Sequence, residues 1–208
     1  LYPEDGDESD ILMRNADTAM YRAKELGRNN YQLCTPGMNT RALERMSLES
    51  GLRRALERDE FVLHYQPLVD LATGRWVGTE ALVRWQHPQR GLVPPDTFIP
   101  LAEESRLILP LGDWVMEAAC AQLRRWRDSG LDGLRMSVNL SMRQLQQKEL
   151  ARTVEAALSR SGVPPEALEV EITESVAMHN VEWTKSVLRA LRDMGVRVTI
   201  DERSKRRA

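Results

Sequence analysis

Cysteine is nearly missing. Cys34 and Cys120 are the only two in 208 residues, and they lie far apart with no metal-ligand spacing. That excludes a disulfide framework and a zinc–thiolate site, and predicts two reduced cytosolic thiols in a cytoplasmic protein. The three histidines, His64, His87 and His179, form no zinc pattern. Long apolar runs are also missing. The best stretch, Leu107 to Ala119, is broken by Pro110, Asp113 and Glu117, so no membrane span is expected in this segment. Charge of one sign is missing too. With 29 Lys and Arg against 31 Asp and Glu, the formal charge is −2, which offers no nucleic-acid or membrane surface.

What is present is enough apolar material, 42 % of the chain, for a core. Strands of a parallel sheet usually read as near-continuous Val, Ile and Leu runs. Four short stretches here alternate instead. Val77, Ala81 and Val83 oppose Gly78, Glu80 and Arg84, while Val138 and Leu140 oppose Ser137, Asn139 and Ser141. Val170 and Ile172 oppose Glu169, Glu171 and Thr173, and Val198 and Ile200 oppose Arg197, Thr199 and Asp201. One side packs on helices and the other presents oxygen ligands near the strand ends. That is the layout of a barrel enzyme with its site at the carboxyl ends of the strands.

Around these strands the pattern predicts an α/β fold. Phe61–Val69 and Trp76–Trp85 form a two-strand start joined by a Thr73-Gly74 turn. Helices follow over 96–104 and 114–128, then a strand over 135–140 and a helix over 142–159. A strand over 168–172 and a helix over 180–194 lead to the last strand, 196–201. Residues 1–33 form a separate unit. Leu1-Tyr2-Pro3 reads as the tail of a strand, and a helix over 11–26 carries Leu12, Ala16, Ala19, Met20 and Ala23 on one face. Pro36, Gly37 and Asn39 mark a break, and a charged helix runs from Thr40 to Arg58.

Mg²⁺ and Mn²⁺ take oxygen donors in octahedral array, and carboxylates with a carboxamide on neighbouring strand ends supply part of one shell. An inward Glu80 on a covered strand needs a partner. Asn139 reads either as a ligand or as an amide closing a loop. Glu169 beside Glu171 places two like charges together, which favours a nearby cation. Arg84 either grips a phosphate through a charge-assisted fork or neutralises an acidic mouth. Trp85, Trp114 and Trp126 read as core.

Tyr65-Gln66-Pro67, Glu80-Ala81-Leu82-Val83-Arg84, Val138-Asn139-Leu140-Ser141, Glu171-Ile172-Thr173-Glu174-Ser175 and Thr199-Ile200-Asp201 resemble, in order, the EAL domain of cyclic-di-GMP phosphodiesterases. The resemblance implies a partial modified TIM barrel over 59–201 and Mg²⁺- or Mn²⁺-dependent hydrolysis of cyclic-di-GMP to linear pGpG. It assigns metal binding to Glu80, Asn139, Glu171 and Asp201, and substrate contacts to Gln66, Leu82 and Arg84. Glu174 and Glu202 are supporting carboxylates. Asn15 to Lys24, followed by Gly27-Arg28-Asn29-Asn30, resembles the last helix of a GGDEF diguanylate cyclase domain, with 34–58 as the joining helix. The family's later lysine and a last metal-binding glutamate have no counterpart before the divergent basic tail 202–208. A truncated, inactive fragment is therefore expected, or a non-catalytic module that binds cyclic-di-GMP or a protein, with dimerisation through the open barrel edge.

Overall fold

The computed structural model describes residues 2, 7–25, 29–34, 36–173 and 181–201. The chain divides into two compact units, Leu1–Gly51 and Leu52–Ala208.

In the first unit, α1 (Ser9–Glu25) has Asp10 in its first turn and Arg22 and Lys24 in its last, each favourable to the helix dipole. Of the predicted face, Ala19 is buried and Leu12 and Ala23 are half-buried, whereas Ala16 and Met20 are exposed; Asn15, Thr18 and Arg22 are half-buried beside them. Of the Leu1-Tyr2-Pro3 strand tail, Tyr2 stands in a turn and the rest lies outside the described residues. The expected break over 34–40 is also overturned: α2 (Pro36–Glu57) starts at Pro36, since proline is well suited to a first helical turn.

The second unit is built on one sheet. β1 (Phe61–Val69) pairs antiparallel with β2 (Trp76–His87). Asp70 holds the turn between them by accepting hydrogen bonds from the amide and hydroxyl of Thr73. The short β3 (Gly91–Val93) folds back on β2, an additional strand between β2 and the next helix. Helices α3 (Pro95–Glu104) and α4 (Ile108–Asp128) then lead to β4 (Arg135–Asn139). The single helix expected over 142–159 is two, α5 (Met142–Leu145) and α6 (Leu150–Ser161). Ser141 and Gln144 close a reciprocal capping box that starts α5. β5 (Leu168–Thr173), α7 (Val181–Asp193) and β6 (Arg197–Asp201) complete the unit. Strand order is β1-β2-β4-β5-β6, parallel from β2 onward.

The predicted alternation places the core. Ala81, Trp85, Met136, Val138, Leu168, Val170 and Ile172 are buried on the outer face. Against that face α4 brings Leu111, Val115, Met116, Ala119 and Leu123 at helical spacing, each fully buried aliphatic side chain contributing roughly 1.5–3 kcal/mol. α4 packs on β4 and α6, α6 on α7, and α7 on β6. Gly78 lets β2 and β4 close, because a Cβ there would lie 2.9 Å from the Arg135 carbonyl oxygen. Of the three tryptophans read as core, Trp85 is fully buried, with its indole N–H donating to Glu60 at 3.0 Å. Trp114 and Trp126 are half-buried, the latter edge-on to Tyr65 with ring centres 4.8 Å apart. Cys120 is buried and Cys34 half-buried.

Candidate functional site

Side chains along a strand alternate faces, so the register alone decides which residues share one. Gln66 of β1 stands opposite Glu80 of β2, Glu80 opposite Ser137 of β4, and Ser137 opposite Glu169 of β5. Two residues further toward the carboxyl ends, Asn139 stands opposite Glu171, and Glu171 opposite Thr199. The next row pairs Thr173 with Asp201. On the same face of β2, Leu82 stands opposite His64 and Arg84 opposite Val62. By register, Gln66, Glu80, Leu82, Arg84, Asn139, Glu171 and Asp201 therefore share the inner face. Glu174 and Glu202 lie outside the described residues.

Two of these side chains meet directly. Asn139 Nδ2 donates to Glu80 Oε1 at 2.8 Å across neighbouring parallel strands. The opposite amide orientation would set two acceptors against each other, so the hydrogen bond fixes the amide. It also leaves Asn139 Oδ1 as the atom offered to a third group. Asn139 is exposed, and Glu80 and Glu171 are half-buried. Arg84 is half-buried, and its Nη1 donates to the Val83 carbonyl at 2.9 Å, which leaves most of its five N–H donors for another partner. Gln66 is exposed and Leu82 half-buried.

Glu169 behaves differently from its expected role. Its carboxylate accepts from the Thr199 hydroxyl and lies 3.8 Å from the Arg135 guanidinium. The protein itself thus compensates this charge, and the like-charge argument from Glu169 and Glu171 fails. Neither partner announces itself in sequence, because both come from other strands.

The donor set fits a hard divalent cation in kind: carboxylate and carboxamide oxygens, with no nitrogen or sulfur ligand among the residues named. Among the described residues, no three His, Cys, Asp or Glu side chains converge closely enough to hold an ion on their own. The Asn139 carbonyl adds a further oxygen to the carboxylates of this face.

A scan of known families matches the EAL domain over residues 49–206. The chain is 46 % identical over 202 residues to the bifunctional diguanylate cyclase/cyclic di-GMP phosphodiesterase MucR of Pseudomonas aeruginosa, covering 97 % of this chain and 30 % of that protein. It is 44 % identical over 202 residues to the cyclic di-GMP phosphodiesterase PdeR of Escherichia coli, again covering 97 % of this chain and 30 % of the relative. The chain thus spans about a third or less of the length of these curated relatives. Among solved structures, the MucR phosphodiesterase in complex with c-di-GMP matches with a TM-score of 0.74 at 43 % identity, over 76 % of this chain and 64 % of that one. The FimX EAL domain of Pseudomonas aeruginosa bound to c-di-GMP matches with a TM-score of 0.67 at 27 % identity, over 76 % and 62 %. With a family match over most of its length and the motif residues on one face of the sheet, this chain belongs to the EAL domain family.

Proposed function

We propose that this chain is the EAL portion of a cyclic-di-GMP phosphodiesterase and that the inner-face mouth is where the dinucleotide binds with Mg²⁺ or Mn²⁺. The observation that carries this reading is the Asn139–Glu80 hydrogen bond. It orients an amide oxygen and a carboxylate on adjacent strand ends, on the face shared with Glu171 and Asp201. The named activities of MucR and PdeR and the ligand in the MucR and FimX structures support it.

In this reading Glu80, Asn139, Glu171 and Asp201 hold the cation. When bound, the cation supplies Lewis-acid polarisation of the phosphodiester. Arg84 gives a phosphate oxygen a charge-assisted hydrogen bond and neutralises its charge. Leu82 offers an apolar surface to the nucleotide, and Gln66 an amide to hydrogen-bond it. Glu174 and Glu202 are supporting carboxylates in the family resemblance. The MucR match spans nearly the whole chain, which supports reading residues 1–33 as the tail of a GGDEF domain and 34–58 as the joining helix.

The test is calorimetric titration of cyclic-di-GMP in the presence of Mn²⁺, with product formation followed in parallel. Binding with turnover to pGpG supports the full reading. Binding without turnover supports a module that senses the dinucleotide without cleaving it. No binding in the presence of Mn²⁺ overturns the proposal.

A further inference from the structure

Ser137 lies at the centre of the inner face and is fully buried. Its Oγ is the one buried side-chain oxygen or nitrogen without a hydrogen-bond partner among the described residues. Such a hydroxyl bears its desolvation cost with nothing to offset it, so the question is what it meets in the working protein.

Register restricts the candidates to two. Glu80 stands opposite Ser137 on one neighbouring strand and Glu169 on the other, all three on the same face. Glu169 already accepts from the Thr199 hydroxyl and faces the Arg135 guanidinium. Glu80 has one donor, the Asn139 amide, on Oε1. A carboxylate held through one oxygen can still swivel about that bond. A second donor from the adjacent strand would stop the swivel.

We propose that Ser137 is a positioning residue for Glu80. Its hydroxyl donates to the Glu80 carboxylate, directly or through one buried water, when that carboxylate takes up a cation. The donation fixes which carboxylate oxygen faces the ion. Ser137 touches neither ion nor substrate, so its effect passes through Glu80 alone, as partners of ligating carboxylates commonly act. The inference rests on the cation reading above.

The experiment titrates Mn²⁺ into the wild-type chain, Ser137→Ala, Glu80→Gln and the double variant, with free Mn²⁺ read by electron paramagnetic resonance. Metal-free thermal unfolding is recorded for each. Expected for Ser137→Ala is an unchanged or raised Tm without metal, since an unpaired buried hydroxyl is removed, together with Mn²⁺ affinity weakened about tenfold. In the Glu80→Gln background the same substitution should change affinity little, because the two act as a unit. Equal Mn²⁺ affinity in wild type and Ser137→Ala overturns the inference and leaves the cation reading standing. A Tm lowered by several degrees without metal overturns it too, since the hydroxyl then serves the fold. A wild-type chain that binds no Mn²⁺ overturns both.

Discussion

Gly112 on α4 and Gln144 on α5 occupy each other's space: a Cβ added at Gly112 would lie 1.9 Å from Gln144 Nε2. Gln144 is buried, and its Oε1 accepts from the Ser141 amide at 3.0 Å and the Ser141 hydroxyl at 2.9 Å. The glycine thereby seats the capping box that follows directly from β4, two residues beyond Asn139. Glycine in a helix interior ordinarily costs about 1 kcal/mol relative to alanine. At this position the sign is expected to reverse, because Gln144 cannot move aside without giving up its hydrogen bonds to Ser141.

Gly112→Ala is expected to destabilise the chain by about 1–3 kcal/mol, the usual cost of overpacking, where helix propensity alone would stabilise it. Urea unfolding decides between the two. Gly112→Ala combined with Gln144→Ala should recover part of the loss, because the shortened side chain makes room for the methyl.

Burial pushes the Cys120 thiol up to about 11 from 9.0, only partly offset by a hydrogen bond with Ser161. A thiol of that kind stays protonated and unreactive at neutral pH. Alkylation with iodoacetamide near pH 8 should therefore leave Cys120 unmodified until urea unfolds the chain. The sign of the linkage follows from the raised value. The folded state holds the proton more tightly, so this contribution to stability is present below pH 9 and is lost as pH rises toward 11. Stability rising over that interval would contradict the burial of this group.

Replacing Asn139 by Asp turns the donor facing Glu80 into an acceptor at the same place. Without metal, Asn139→Asp should lose about 1 kcal/mol at neutral pH and regain it as pH falls and one carboxylate of the pair takes a proton. Asn139→Ala should show no such recovery. Urea midpoints at pH 7 and pH 5 measure both.

Much of this was legible in sequence because a parallel sheet with one polar inner face writes a period of two. Glu80, Asn139, Glu171 and Asp201 each fall on the polar beat of their strands, and the register puts them on one face. Helix ends were less legible. The break between α5 and α6 falls at Gln146, Gln147, Lys148 and Glu149, residue types that are all good helix formers. Partnerships across strands were not legible at all. That Thr199 and Arg135 compensate Glu169, and that Ser137 is left with an unpaired hydroxyl, depend on a register no single strand encodes.

The central claim is that the face shared by Glu80, Asn139 and Arg84 binds cyclic-di-GMP with a divalent cation. Calorimetry of the dinucleotide with and without Mn²⁺, on the unsubstituted chain and on Glu80→Gln and Arg84→Ala, tests it most directly. The account predicts that Mn²⁺ strengthens binding to the unsubstituted chain. Glu80→Gln should abolish that metal dependence, and Arg84→Ala should weaken binding about tenfold or more through loss of a charged hydrogen bond worth roughly 1.5–3 kcal/mol. Binding that is indifferent to Mn²⁺ and unchanged in both variants would contradict it.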